Sequence, residues 1–158
     1  MPVQTTYTKR MKQGLPGLVG WDFSTADITS VIAEGTIPFG NAVVMGSKAR
    51  TGVVGSAAVI GFAVRSLMSI NAINTFTDAY GDDESVGVLR EGYIWSVNNG
   101  GAAIADGSQV YVNATGQVVN SAAAGAVAVP GCRVETGGAV GALVFLRIQT
   151  SIPAPAAP

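Results

Sequence analysis

The chain has 158 residues, enough to bury the core of one domain. Only 12% of them are charged, where about 25% is typical, and the mean hydropathy is +0.39, so we expect copies of the chain or a larger assembly to cover much of the surface. The net charge of −1 gives no general attraction to nucleic acid, and the absence of histidine excludes a serine–histidine or cysteine–histidine nucleophile.

Residues 1–20 are predicted to form an extended arm. The opening stretch MPVQTTYTKRMKQGLPG is basic, carries no acidic residue and shows no sustained hydrophobic period. Its TTYTK segment alternates β-prone residues, which suits addition to the edge of a partner's sheet. The candidate contact residues in the arm are Thr5, Thr6, Tyr7, Lys9, Arg10 and Lys12.

The predicted arm is long enough to leave its own subunit. About 18 extended residues span roughly 60 Å, against a diameter of about 40 Å for the body. The three cations would meet acidic groups on a partner. From the residues alone, a terminus without fixed structure is an equally good interpretation. The segment LPGLVGW is then predicted to fill an apolar groove of the body with the side chains of Leu15, Leu18, Val19 and Trp21.

Residues 21–150 are predicted to form a β-rich body. Short segments rich in valine, isoleucine and aromatic residues alternate with glycine, asparagine or aspartate. These segments are ADITSVIAEG, IPFGNAVVMG, GVVGSAAVIGFAV, SVGVLREGYIWSVN, GSQVYVNATGQVV and AVGALVFLRIQ. The exception is SLMSINAINTFTDAYGDDES, where the spacing of Leu67, Ile70 and Ile73 fits one helical face and a long loop fits equally well.

Turn signals are closely spaced in the body. Residues 32–35, 89–92 and 104–107 share an apolar–x–acid–Gly pattern, which predicts tight turns, with a remnant of duplication as the less favoured reading. Thr115 and Gly116 predict a hairpin within YVNATGQVV. Short strands with such turns predict an all-β fold, a jelly roll or a related β-sandwich or barrel. The tail, residues 151–158, is predicted to be flexible because prolines alternate with alanines.

The residues favour no catalytic or metal site. The cluster Asp82, Asp83 and Glu84 lacks the alternating ligands of a calcium loop and is predicted to be a solvated acidic loop. Cys132, beside Arg133, is predicted to be a small apolar residue of a strand rather than a reactive thiol. We therefore predict a protein that is not an enzyme and uses no cofactor or metal.

Membrane and nucleic-acid functions are not indicated either. The longest apolar runs are broken by glycine and end at Arg65, short of the roughly 20 residues of a spanning helix. Basic and aromatic residues do not interleave as in nucleic-acid modules. One cysteine and the lack of a signal-peptide pattern predict synthesis in the cytoplasm.

Aromatic residues define a second candidate surface. Tyr93 and Trp95 alternate on one predicted strand and therefore share a face, and Tyr111 is the third member of this candidate glycan platform. Packing of the same rings within the core is the favoured interpretation.

The stretches MPVQTTYTKRMKQGLPGLVGW, IAEGTIPFGNAVV and GYIWSVNNGGAAIADGSQVYVNATGQV resemble the structural cement proteins of tailed bacteriophages. The resemblance covers roughly residues 3–149. It implies a jelly-roll or related barrel that oligomerises, binds the outer surface of an icosahedral capsid and bridges neighbouring major capsid subunits. It also implies a location on the virion, the major capsid protein of the same phage as partner, and self-association, for which a trimer is favoured over a dimer.

Three functions are therefore considered. A capsid cement protein is the leading hypothesis, because it explains both the arm and the shortage of charge. A glycan-binding β-sandwich module is the alternative. An enzyme that uses Asp82, Asp83 or Glu84 is the least favoured, because histidine is absent.

Overall fold

The computed structural model describes residues 14–20, 26–66, 78–121 and 123–149, and none of these residues is helical. The all-β prediction, of the jelly-roll or related barrel type, is confirmed. The strands are β1 Asp27–Ala33, β2 Ile37–Pro38, β3 Ala42–Met45, β4 Thr51–Val54, β5 Gly61–Ala63, β6 Ala79–Tyr80, β7 Ser85–Val97, β8 Gln109–Val112, β9 Val118–Val119, β10 Val127–Thr136 and β11 Leu143–Gln149.

Strand pairing divides the body into a closed ring and an open extension. The pairs β1–β4, β4–β3, β3–β5, β5–β7 and β7–β1 close a ring of five strands. From β7 the sheet continues in the order β11, β10, β8 and β9, while β2 and β6 form a separate small sheet. The long strand β7 therefore belongs to both parts.

The partners of β7 change near Gly92. Residues 85–91 of β7 pair with β1, and residues 91–97 pair with β11. Gly92 lies at the changeover with a φ of +127°, which favours glycine, and a β-carbon built there would lie 3.4 Å from the α-carbon of Ala26. The predicted turn at residues 89–92 is therefore wrong. These residues lie within the continuous strand β7, because β1 and β11 pair with its backbone before and after Gly92. The turns after β1 and before β8, and the hairpin between β8 and β9, are confirmed.

Two apolar clusters lie on opposite sides of the central strands. One side of β3, β5 and the first half of β7 faces the extension, and the other side faces the interior of the ring. The side chains on the first side are Ala42, Phe62 and Leu89, and those on the second are Val43, Ala63 and Val88. Strands buried on both faces appear in sequence as unbroken apolar runs, as AVV and GFA do here.

Apart from Cys132, which was predicted to lie in a strand, β10 is missing from the predicted segments because Pro130 and Gly131 interrupt it. The structure accommodates both in a bulge, between the pair Ala128–Tyr111 and the pair Arg133–Gln109. The side-chain amide of Gln109 donates to the carbonyl oxygens of Val129 and Cys132, which satisfies groups that the bulge leaves without a ladder partner.

Several predictions lie outside the described residues. These are the helix-or-loop segment from residue 67 to residue 77, most of the arm, and the tail. The boundaries 1–20, 21–150 and 151–158 remain predictions. In the described part of the chain, no helix is long and apolar enough to cross a membrane.

The side chain of Glu34 stabilises the loop between β3 and β4 through hydrogen bonds. Its carboxylate accepts hydrogen bonds from the Thr51 hydroxyl at 2.6 Å, the Ser47 amide at 2.9 Å and the Lys48 amide at 3.0 Å. These bonds, the Thr51 bond most of all, favour the ionised form and lower the pKa of Glu34 from 4.5 to about 2. The carboxylate thus links the end of β1 to the five-residue loop 46–50 and to Thr51, the first residue of β4.

This depressed pKa predicts an acid-sensitive contribution to stability. Because the folded-state pKa lies below the unfolded value of 4.5, the contribution is complete above that pH and is lost as the pH falls towards about 2. We expect Glu34→Gln to lower the thermal midpoint at neutral pH and to flatten its fall in acid. Thermal midpoints recorded across this pH range test it, with Glu135→Gln on the exposed side of β10 as the control. Equal acid sensitivity in the wild type and Glu34→Gln would contradict the assignment.

Candidate functional site

Residues 14–20, which we call the anchor segment, pair with the second half of β7. The amide of Gly17 donates to the Trp95 carbonyl at 2.7 Å, and the amide of Gly20 donates to the Tyr93 carbonyl at 2.7 Å. The Trp95 amide donates in return to the Leu18 carbonyl at 3.0 Å. The anchor segment is therefore an antiparallel addition to β7, with Val19 opposite Ile94.

Arg65 fixes the anchor segment from the other side. Its amide donates to the Gly17 carbonyl at 2.7 Å, and its guanidinium donates to the Pro16 carbonyl at 3.4 Å. The same guanidinium pairs with Asp78 and lies 5.0 Å from the ring centre of Phe39. The point at which residues 1–13 join the body is thus held by contacts from both β7 and the end of β5.

The predicted groove-filling role of LPGLVGW is corrected in part. Val19 is buried in the core, whereas the side chains of Leu15 and Leu18 are 53% and 44% exposed. Strand-like pairing is the reason, because alternate residues then face opposite sides, and Val19 takes the core side. Trp21 lies outside the described residues.

The structure brings together two of the three residues of the candidate aromatic surface, Tyr93 and Trp95. Tyr93 stacks on Phe145 at 5.5 Å between ring centres, and Trp95 packs on the same ring at 4.6 Å. Tyr111 lies on β8, three strands from β7, a separation of about 14 Å at the usual strand spacing. The three rings therefore do not form one platform.

Packing within the chain occupies these rings. A β-carbon at Gly14 would lie 2.5 Å from the Trp95 ring, and one at Gly20 would lie 2.6 Å from the Phe145 ring. The glycines of the anchor segment thus lie against the aromatic cluster. Ring faces used in this way do not favour the glycan-binding alternative.

A pair of arginines next to this cluster was not predicted. Arg133 of β10 and Arg147 of β11 are direct register partners, and Arg147 is in turn opposite Tyr93. Both arginines are exposed, on the side of the sheet that faces away from the core. We call this side of β7, β11, β10 and β8 the outer face. Alternation within LVFLRIQ could have placed Arg147 there, but only the pairing of β10 brings Arg133 beside it.

The acidic loop and the cysteine take structural roles. Asp82 accepts a hydrogen bond from the Gly35 amide at 2.7 Å, and Glu84 accepts one from the Gly81 amide at 2.8 Å. No group of three potential metal ligands occurs among the residues that the structure describes. Cys132 is buried in the core, and burial raises the pKa of its thiol, as expected of a packing residue.

The capsid-contact residues predicted in the arm, Thr5, Thr6, Tyr7, Lys9, Arg10 and Lys12, lie outside the described residues. Of the predicted arm, residues 1–20, the structure describes only the anchor segment.

Comparison with solved structures shows that a similar fold occurs elsewhere. The chain is similar to a chain of the structure "The capsid of Myoviridae Phage XM1", with a TM-score of 0.67 and 18% sequence identity, over 96% of this chain and 100% of that one. It also matches the head fiber gp8.5 N base of bacteriophage phi29 with a TM-score of 0.46 and 11% identity, over 80% of this chain and 96% of that one. No curated protein matches in sequence.

A family model identifies the chain directly. The model described as structural cement protein (E217 gp24/Pam3 gp6) matches residues 3–149. This span includes residues 3–20 of the predicted arm and every strand of the body. The chain therefore belongs to the structural cement protein family of bacteriophages.

Proposed function

We propose that this cement protein binds the outer surface of its capsid, bridges neighbouring major capsid subunits and uses residues 1–13 as a reaching arm. The observation that supports the proposal is that backbone hydrogen bonds join the anchor segment to β7 and to Arg65, so that residues 1–13 would extend from a fixed point. Thirteen extended residues reach at most about 45 Å. A firm base and a long reach suit an element that binds a second subunit while the body binds the first.

Stabilisation of the capsid then follows from mass action. A protein that binds only the assembled shell shifts the equilibrium towards that shell. Contacts made by body and arm to adjacent subunits reinforce one another through effective concentration, provided that the geometry allows both at once. No step of this role requires catalysis, and we propose none.

Self-association, with a trimer favoured, is part of the proposal. The chain has few charges, and β1 exposes Ile28 and Ile32 at 47% and 46% on its outward side. An apolar strip on a strand supports contact between copies. Light scattering on the purified protein tests this, with the mass of a trimer expected.

Removal of residues 1–13 is the direct test of the arm. We expect the truncated protein to keep its thermal midpoint, because the truncation keeps the anchor segment and every strand that forms the two apolar clusters, and to bind heads at least about tenfold more weakly. Co-sedimentation with heads purified from the same phage without its cement protein measures this. A variant with residues 1–13 shuffled separates sequence-specific pairing from charge alone. Unchanged binding by the truncated protein would contradict the role of the arm.

A further inference from the structure

The outer face keeps two like charges side by side. Arg133 and Arg147 are directly opposite across β10 and β11, so their β-carbons are about 5 Å apart. Like charges in this position destabilise a sheet. In the described part of the chain, ion pairs join Arg65 to Asp78 and Arg90 to Asp27, and neither involves the arginine pair. The pair therefore lowers stability in the isolated chain unless an anion is bound.

Most donors of the pair are available to a ligand. Nη1 of Arg133 donates to the Gly107 carbonyl at 3.3 Å, a bond to a neutral acceptor that leaves the charge uncompensated. A guanidinium presents several donors in a planar fork that matches a carboxylate. Two adjacent forks thus offer a site for one or two carboxylates on an extended strand-like segment.

The neighbours of the pair provide an apolar side. Tyr93 is opposite Arg147, and in the next row of the sheet Trp95 is opposite Phe145. Leu18 of the anchor segment exposes 44% of its surface beside Trp95. The outer face therefore carries the arginine pair on β10 and β11 beside an apolar area formed by Tyr93, Trp95 and Leu18.

Neither the nearby carboxylates of the same chain nor the arm of a second copy is a good source of the ligand. Glu91 lies two residues before Tyr93 on β7, and Glu135 lies two residues after Arg133 on β10. Neither forms an ion pair with either arginine. Among the residues outside the described ranges, Asp22 is the sole acidic one, and the arm is basic. The arm of a second copy would therefore be repelled by the arginine pair rather than bound.

We propose that the arginine pair binds carboxylates of an acidic segment in the neighbouring capsid subunit, while Tyr93, Trp95 and Leu18 contact its apolar side chains. This rests on the proposed function and names the chemistry of the partner. A protein segment suits the face better than nucleic acid does, because two cations beside aromatic packing do not form the basic stripe that tracks a phosphate backbone.

Neutralisation of the pair is the first test. We expect Arg133→Gln with Arg147→Gln to weaken co-sedimentation with cement-free heads at least about tenfold and to reduce its salt dependence. Lys48→Gln with Arg50→Gln is the matched control, because it removes the same charge from another exposed site. Thermal midpoints confirm that each variant is folded. Equal binding by a folded arginine double variant and the wild type would overturn the inference and leave the cement role intact.

A soluble probe tests the site without the capsid. We expect hexaglutamate to shift the NMR signals of Arg133, Arg147 and Tyr93 in the wild type and in the control, and not in the arginine double variant. A single-stranded DNA oligomer at the same charge concentration should bind more weakly. Stronger binding of the DNA, or shifts elsewhere on the surface, would overturn the inference. Wild-type protein that binds hexaglutamate through the pair but fails to bind any head would instead overturn the proposed function.

Discussion

Replacement of Gly17 by alanine is expected to destabilise the protein by about 3 kcal/mol and to loosen the anchor segment. Gly17 has a φ of +76°, in the left-handed region that costs an L-residue energy. A β-carbon there would lie 2.8 Å from the Arg65 amide nitrogen and 2.8 Å from the β-carbon of Phe39. Neither neighbour is the free end of a flexible side chain, so the segment itself must move.

Displacement of Gly17 should also weaken the attachment of the anchor segment to the body, which depends on two hydrogen bonds of this residue. The Gly17 amide donates to Trp95 and its carbonyl accepts from Arg65, so displacement of Gly17 weakens both attachments. We expect faster hydrogen exchange at the Gly20 amide, which donates to Tyr93, and weaker binding to cement-free heads. Urea unfolding gives the loss of stability.

Gly107→Ala is the matched control. Gly107 has nearly the same φ, +74°, and nothing lies within 4 Å of a β-carbon built there. Only the backbone cost of about 1–2 kcal/mol then applies, and the Gly20 amide should keep its protection. If Gly17→Ala behaved like Gly107→Ala in all three measurements, the close packing of the anchor segment would not be what holds the arm in place.

The second large effect is expected from Phe62→Ala, which should cost about 3–5 kcal/mol. Phe62 is fully buried on β5, between Ala42 of β3 and Leu89 of β7. Truncation removes apolar burial and leaves a cavity in a strand that is packed on both faces, so the surroundings cannot collapse into it easily. The free energy of unfolding in urea measures the loss.

Met45→Ala provides the comparison for Phe62→Ala. Met45 ends the adjacent strand β3 and its side chain is 54% exposed, so its truncation should change stability by less than about 1 kcal/mol. Phe62→Leu should fall between the two, since it keeps most of the apolar volume. A loss at Phe62→Ala no larger than that at Met45→Ala would show that the two-sided packing of β5 does not carry the stability of the body.

The two predictions concern the two regions that the proposed function requires, the body and the arm. In the proposed function the body must stay rigid where it contacts one capsid subunit, and the packing around Phe62 supports that rigidity. The arm must start from a defined point if contacts with two subunits are to reinforce each other. Gly17 is the residue that connects the two regions. It is hydrogen-bonded to Trp95 of β7 and to Arg65, two residues after β5, and it follows residues 1–13 in the chain.

The amino-acid sequence by itself determined the fold class and much of the strand layout. Alternation and β-branched residues marked β1, β3, β7, β8 and β11, and the Asn113–Gln117 turn between β8 and β9 follows from local turn chemistry. The shortage of charge and the basic arm, together with the resemblance to cement proteins, also indicated the family. These features are local or compositional, so they can be seen without a partner strand.

What only the tertiary structure decided is which segments meet. The acid–Gly pattern at residues 89–92 looks like its two turn-forming counterparts, and only pairing with β1 and β11 makes it part of one long strand. Apart from Cys132, the sequence did not indicate β10, because Pro130 and Gly131 interrupt it. The strand forms because β8 and β11 pair with it and its bulge accommodates these two residues. The arginine pair and the position of the anchor segment on β7 also depend on pairing between segments that are distant in sequence. Such pairing produces no recognisable period in either segment, so the sequence does not predict it.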